Sequence, residues 1–163
     1  MKKRWIVIVT LAATALFAAF AYGYWTPGDL AKYPECLTCG ASRKACAHTR
    51  MVAEYVDGTK RAECGLHCLM VDFVDQPGRQ PKRVLAADYH DKRLAEAEKS
   101  WWVRYDNGVE CMGSKAMLAF RTERGADDFI ASFGGMKLSY DEALRLTYRD
   151  IEAARRKGMA DSK

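Results

Sequence analysis

Residues 51–75, which read MVAEYVDGTKRAECGLHCLMVDFVD, contain the strongest structural signals in the chain. A β-rich run, an Asp57-Gly58 pair and a second short run to Glu63 predict a hairpin, because Asp-Gly readily adopts the positive φ angles of tight hairpin turns. Apolar residues at spacings of three, four and seven then predict a helix over residues 64–75. Two strands followed directly by a helix favour an α+β fold.

The regions after this segment give weaker signals of the same kind. Further strands are predicted at 83–89, 101–105 and 117–120, and a short helix at 126–133. Residues 92–99 fit either a short helix or a loop. Ser139 and Glu142 form a capping box, which starts a final helix that is expected to end near Lys157, before Gly158. Strands and helices do not alternate regularly, which again favours α+β.

The amino-terminal residues are predicted to anchor the chain in a membrane. A basic start, Lys-Lys-Arg at 2–4, precedes an uncharged run from Trp5 to Pro27. About twenty helical residues span the ~30 Å hydrocarbon core, and basic residues favour the cytoplasmic side. We therefore expect a single-pass, N-in protein of the bacterial inner membrane that faces the periplasm. The alternative is cleavage of a signal peptide at 19–21, which would release the chain into the periplasm.

Length and charge limit the remaining possibilities. The chain has 163 residues and a formal net charge of +5. We expect residues 1–25 to form the anchor or signal, 26–35 a linker, 36–158 one folded domain and 159–163 a tail. Acidic and basic residues are interspersed, without the basic stripe that nucleic-acid binding requires, so no nucleic-acid partner is expected.

Six cysteines and seven methionines are a high count for this length. The cysteines form close pairs, Cys36-x-x-Cys39 and Cys64-x-x-x-Cys68. Two thiolates three residues apart can bind one metal ion, and two thiols four apart on a helix share one face. A helix amino terminus also favours the thiolate. One interpretation of this spacing is therefore a four-sulfur zinc site.

Imidazoles and thioethers near the cysteines shift the prediction from zinc to copper. Zinc makes little use of methionine, whereas Cu(I) accepts thiolate, thioether and imidazole. The candidate ligands are Cys36, Cys39, His48, Met51, Cys64, His67, Cys68 and Met112. A plainer interpretation is also open, because Met51 and Met112 fit core positions and His48 fits an ordinary hydrogen-bonding role.

Two further functions stay open. Cys36 and Cys39 fit the Cys-x-x-Cys of a thiol–disulfide oxidoreductase. The cysteines also fit a zinc- or disulfide-stabilised interaction module. No serine–histidine–acid set, phosphate loop or paired carboxylates stand out, so the chain is predicted not to be an enzyme.

The order of the motifs resembles one known family. The sequence contains Cys-x-x-Cys-Gly at 36–40, Ala-His-Thr-Arg-Met at 47–51, Asp-Gly at 57–58, Cys-Gly-Leu-His-Cys at 64–68, Ala-Asp-Tyr at 87–89, Cys-Met-Gly at 111–113, Phe-Gly-Gly at 133–135 and Ser-Tyr-Asp-Glu-Ala at 139–143. This order resembles the NosL family of nitrous oxide reductase accessory proteins, particularly its cysteine-rich relatives.

The resemblance implies an exported Cu(I)-binding protein with two small ββαβ lobes, similar to organomercurial lyase. It implies copper ligation by Cys36 or Cys39 and by Met112, while His48 and Met51 match a motif of the cysteine-rich relatives. The chain departs from the family at Ala41, where methionine is usual, in having no lipoprotein motif, and in two extra cysteines, 46 and 111.

Together these observations predict a membrane-anchored, extracytoplasmic Cu(I) donor. Its expected partner is a copper-accepting extracytoplasmic protein, with nitrous oxide reductase as the first candidate, and Zn²⁺ is the alternative ion.

Overall fold

The computed structural model describes Thr14 and residues 28–107 and 115–161, with the backbone alone for 158–161. The chain divides into two compact units, Met1–Lys32 and Tyr33–Lys163. In the first, the structure describes Thr14 and a short helix, α1 (Gly28–Lys32). The second contains β1 (Met51–Tyr55), β2 (Lys60–Glu63), α2 (Leu66–Asp75), β3 (Pro81–Ala87), β4 (Leu94–Glu96), a 3₁₀ turn (Ala97–Lys99), β5 (Trp101–Tyr105), β6 (Ala116–Phe120), α3 (Glu123–Phe133), β7 (Met136–Leu138) and α4 (Tyr140–Asp161).

The first lobe consists of β1–β4 and α2. Its antiparallel sheet has the order β2-β1-β3-β4. The predicted hairpin is confirmed: Met51 lies opposite Glu63, and Gly58 adopts a φ of +82°. The Asp57 side chain accepts a hydrogen bond from the backbone N–H of Thr59 at 2.8 Å, which closes the turn.

The second lobe, β5–β7 with α3, has the same order of elements. Its antiparallel sheet runs β6-β5-β7, so the first strand is again central. In each lobe a hairpin is followed by a helix and by a strand that pairs with the first strand of the hairpin. The predicted α+β fold of two ββαβ lobes is confirmed, and the first lobe adds β4 at its edge.

Several helix boundaries differ from the prediction. Helix α3 begins at Glu123, three residues early, because the Thr122 hydroxyl caps it by accepting from Gly125 N–H. The capping box of α4 is confirmed, with Ser139 N–H donating to the Glu142 carboxylate at 2.7 Å. The predicted end of α4 near Lys157 is wrong, since the helix continues to Asp161.

Two short strands have no clear signal in the sequence. Residues 92–99, predicted as helix or loop, form β4 and the 3₁₀ turn, and β7 was not predicted. Both strands are three residues long and pair with β3 or β5. Their conformation therefore depends on a distant partner and not on local periodicity.

One hydrophobic cluster joins the two lobes. It includes Met51 and Leu69 from the first lobe, Trp102 from the second, and Tyr140 from α4. The buried Trp102 indole donates to the carbonyl of Ala97 at 2.9 Å, so the 3₁₀ turn is tied to this core. A second cluster, of aromatic rings around Phe129, lies within the second lobe and includes Tyr89 from the end of β3.

Among the described residues, no helix has both the length and the apolar composition needed to cross a membrane. The predicted anchor at 1–25 lies outside the described residues apart from Thr14. Cys111 and Met112 also lie outside them.

Candidate metal centre

Four free cysteines meet at one end of the first lobe. Their sulfur atoms all lie within 4.8 Å of one another, and this four-cysteine cluster is formed by Cys36, Cys39, Cys64 and Cys68. Among the described residues, it is the one group of three or more histidine, cysteine or acidic side chains close enough to hold an ion. A four-sulfur site was one interpretation of the cysteine spacing, and the structure brings these four of the eight candidate ligands together.

The sulfur separations fit a single small ion. Cys64 Sγ lies 3.5 Å from Cys68 Sγ and 3.7 Å from Cys39 Sγ. Four sulfurs at ~2.3 Å from one tetrahedral ion would be about 3.8 Å apart. The thiols therefore need little movement to bind one ion, which matches what soft, sulfur-preferring metals require.

The first pair of cysteines is held by a tight loop, residues 36–41, which we call the cysteine loop. Glu35 and Ser42 form a β-bridge at its base. Inside the loop, Cys36 N–H donates to Ala41 O at 2.8 Å and Gly40 N–H donates to Cys36 O at 2.9 Å. Gly40 has a φ of +74°, which glycine adopts without steric cost. The turn brings Cys39 back toward Cys36.

The second pair lies where β2 leads into α2. Cys64 follows β2 directly, and Cys68 lies in the first turn of the helix. The helix begins at Leu66, two residues later than predicted, and Gly65 provides no side-chain cap. Two hydroxyls bind the backbone of this segment: Thr49 Oγ1 donates to Cys64 O at 2.7 Å and Thr38 Oγ1 to Cys68 O at 3.4 Å.

A buried carboxylate, Glu63, lies against the cluster. Its Oε2 accepts hydrogen bonds from Cys36 Sγ at 2.9 Å and from Thr38 N–H at 3.0 Å. Its Oε1 lies 3.3 Å from Arg61 Nε. Burial, and then the bond to Cys36, raise the pKa of Glu63 to about 7. Glu63 thus fixes the position of the cysteine loop, as outer groups do around metal ligands.

A buried guanidinium, Arg43, joins the segments that carry the cysteines. It is fully buried and donates to Glu63 O at 3.2 Å, to Tyr33 O at 2.7 Å and to Met51 O at 3.2 Å. It therefore connects the residues before the cysteine loop with the start of β1 and the end of β2. The sequence analysis missed Glu63 and Arg43. The position of Glu63 directly before Cys64 was a usable signal, whereas nothing local marks Arg43 as buried.

Comparison with known proteins supports the fold. No family of known sequences matches the chain, and no curated protein does. The chain is similar to the crystal structure of the copper chaperone NosL from Shewanella denitrificans, with a TM-score of 0.55 and 21% sequence identity. The match covers 66% of this chain and 87% of the NosL chain. The chain has the NosL fold. The resemblance inferred from the motifs is confirmed to this extent.

Within this NosL fold, the pKa values of the three buried cluster thiols, Cys36, Cys64 and Cys68, shift in different directions. Side-chain contacts with Cys64, and then with Cys68, hold the pKa of the Cys36 thiol below its usual range. The same contacts with Cys36 raise the pKa values of Cys64 and Cys68, and burial adds to both. The expected general lowering by the helix amino terminus is therefore wrong for these two.

The other predicted ligands lie elsewhere or outside the described residues. His48 Nδ1 is 2.8 Å from Tyr89 O, and its ring packs on the Tyr89 ring. Met51 is fully buried in the cluster that joins the lobes of the NosL fold. His67 is partly buried on α2, and burial lowers its pKa while Asp150 acts in the opposite direction. A ligand role for these three, and for Met112, stays a prediction.

The fifth described cysteine is chemically different from the cluster. Cys46 is disulfide-bonded, yet it is buried in the same hydrophobic cluster as Cys36, Cys64 and Cys68. Cys111, the sixth cysteine, lies outside the described residues. One small region of the NosL fold therefore holds both oxidised and reduced sulfur.

Proposed function

We propose that the chain binds Cu(I) through Cys36, Cys39, Cys64 and Cys68 and donates it to a copper-accepting protein. The observation that carries this proposal is the convergence of four free thiols at separations suited to one ion. Thiolates are soft ligands that select Cu(I) among the available metals. The similarity to a structure named as a copper chaperone, and not as an enzyme, supports a donor role.

The exposure of the cysteines suggests how copper would leave. Cys36, Cys64 and Cys68 are buried, whereas Cys39 is partly exposed. An acceptor thiolate or imidazole would therefore meet the Cys39 side first and replace that sulfur on the ion. The buried sulfurs would follow one at a time. Because each new bond forms as an old one breaks, Cu(I) need never be released to water.

We further propose that the domain works in the periplasm and is tethered by its amino-terminal segment to the inner membrane. The basic start and uncharged run support this proposal. The disulfide at Cys46 supports it independently, because disulfides persist mainly in oxidising compartments. Nitrous oxide reductase is the proposed acceptor, on the strength of the family resemblance.

The donor role is tested by transfer. Protein loaded anaerobically with Cu(I) is mixed with copper-free nitrous oxide reductase, and free Cu(I) at equal total copper serves as the control. We expect the enzyme to gain copper and activity while this chain loses copper in equal amount. If the chain keeps its copper while free Cu(I) activates the enzyme, the donor role is wrong and the cluster stores or sequesters metal.

A second candidate is a structural zinc site. The sulfur separations of 3.5 and 3.7 Å favour it, because four cysteines around a tetrahedral ion are typical of structural zinc. Two measurements on protein purified under reducing conditions distinguish the candidates. A structural site would hold one Zn²⁺ whose removal unfolds the domain. A donor site would exchange Zn²⁺ for Cu(I) with the fold retained.

The thiol–disulfide oxidoreductase with Cys36 and Cys39 as its pair receives less support. Cys36 is buried and bonded to Glu63, and the nearest recorded sulfur contact of Cys39 is to Cys64. A redox pair of that type needs an exposed nucleophile next to its own resolving thiol.

A further inference from the structure

We infer that Cys39 is a site of oxidative modification, at which a small disulfide forms a mixed disulfide that Cys64 resolves into a Cys39–Cys64 bond. The inference concerns the same four-cysteine cluster. It rests on the proposed function only for its consequence, which is loss of the metal site. The exchange itself is a property of the metal-free protein.

The first step depends on access. Thiol–disulfide exchange requires the attacking sulfur to reach the disulfide in line. Cys39 is the one partly exposed member of the cluster, and the other three are at most 3% exposed. The Cys39 sulfur attacks one sulfur of the small disulfide and breaks its S–S bond. One small thiol leaves with the proton that Cys39 gives up, and the other half stays bonded to Cys39.

The second step depends on proximity. Cys64 Sγ lies 3.7 Å from Cys39 Sγ, and a disulfide needs about 2.05 Å. Cys39 is the partly exposed partner, so rotation of its side chain can bring its sulfur toward Cys64. Cys64 attacks the Cys39 sulfur, and the second small thiol leaves with the Cys64 proton. Two electrons have passed from two cysteines to the small disulfide, which becomes two thiols.

The structure selects this pair over the others. Cys36 is bonded to Glu63, which keeps its sulfur at the carboxylate. Cys68 contacts Cys64 at 3.5 Å, but both are buried and neither meets the oxidant first. After oxidation, Cys36 and Cys68 remain as thiols. Because Cys39 and Cys64 are then joined in a disulfide, the four-cysteine metal site is lost. A bound ion would occupy both Cys39 and Cys64, so metal loading protects the pair.

The test uses metal-free full-length protein whose four cluster thiols are reduced while the disulfide at Cys46 is intact, incubated with oxidised glutathione. Samples are quenched over time by alkylation and mapped by peptide mass spectrometry, with the bond at Cys46 present before the reaction. We expect the first new disulfide to join Cys39 and Cys64. Cys64→Ser should accumulate glutathione on Cys39, and Cys39→Ser should slow glutathione consumption by at least about tenfold.

Thr122→Ala is the control, because Thr122 caps the helix of the second lobe and belongs to no part of the cysteine cluster. It should form the Cys39–Cys64 bond as the wild-type chain does. A first disulfide between Cys64 and Cys68 or between Cys36 and Cys39 would overturn the inference. So would an unchanged rate for Cys39→Ser. The wild-type map needs no variant to fold, and none of these results depends on metal binding.

Discussion

The two lobes have the same ββαβ order but differ where the second strand leads into the helix. In the first lobe Cys64 occupies the position after the strand, and Cys68 lies four residues on. The corresponding residues of the second lobe are Arg121 and Gly125. The cysteines are buried, whereas Arg121 is exposed. The ββαβ order of elements therefore does not require cysteine at this junction.

Helix capping shows the same contrast. In the second lobe the Thr122 hydroxyl accepts from Gly125 N–H at 3.1 Å, the ordinary way to begin a helix. In the first lobe Gly65 occupies that position without a side-chain cap. The first lobe therefore begins its helix, between Cys64 and Cys68, without the side-chain cap that the second lobe has.

The lobes also differ in what stabilises them. The second lobe packs Phe129 against Tyr89, Tyr105, Phe120 and Phe133, with ring centroids 4.9–5.5 Å apart. The end of the first lobe that holds the thiols depends instead on buried polar groups such as Arg43 and Glu63. Variants in each lobe should therefore separate stability from metal binding.

The largest effect on stability is expected for Phe129→Ala. Removing a buried aromatic ring should lower the free energy of unfolding by about 3–5 kcal/mol, measured by urea denaturation. The Cu(I) affinity of the folded protein should not change, because the Phe129 ring and the cluster thiols belong to different buried clusters. Phe133→Ala is the comparison: that side chain is 59% exposed and contacts the Phe129 ring from one side, so the loss should be smaller, about 1 kcal/mol.

Arg43→Met should affect both properties. The change leaves three carbonyls without their donor and should destabilise the chain by about 3 kcal/mol. Because the cysteine loop loses its link to both strands, Cu(I) affinity should fall by about 10- to 100-fold, as for other outer-shell changes. Competition titration in the absence of urea measures the fall in Cu(I) affinity. Unchanged affinity in a folded Arg43→Met variant would show that Arg43 only stabilises the fold.

Thr122→Ala removes the side-chain cap of α3 in the second lobe, for which α2 in the first lobe has no counterpart. It should cost about 1 kcal/mol and leave metal affinity unchanged, and Thr122→Ser should restore the stability. Thermal unfolding followed by circular dichroism measures the difference. A loss of Cu(I) binding on Thr122→Ala would mean that the two junctions are coupled, contrary to the comparison.

The smallest effect is expected for Met51→Leu. The two side chains have similar volumes, so the stability change should be less than about 1 kcal/mol. Since Met51 is fully buried in the cluster that joins the lobes, Cu(I) affinity should stay within about twofold of wild type. A larger fall in affinity would instead support the prediction that its thioether binds copper.

Local chemistry explains what could be predicted from the sequence. Asp57-Gly58 marks a hairpin, and Ser139 with Glu142 marks a helix start, because each motif satisfies its own backbone. The cysteine spacings indicated two close pairs of thiols, because residues three or four apart can bind one ion. Strands β4 and β7 could not be predicted, since their pairing depends on distant strands. The buried Arg43 could not be predicted either, because its partners are carbonyls of three separate segments.

The central claim is that four thiols form one Cu(I) site, and anaerobic competition titration with a chromophoric Cu(I) chelator tests it most directly. The wild-type chain is compared with Cys36→Ser/Cys39→Ser and with Cys64→Ser/Cys68→Ser, and Thr122→Ala serves as the control. The Cu(I) affinity of each double variant should fall by more than about a hundredfold, which exceeds the fall expected when only a residue that contacts a ligand is changed. The affinity of the control should match that of the wild type. Wild-type affinity in either folded double variant would contradict the claim.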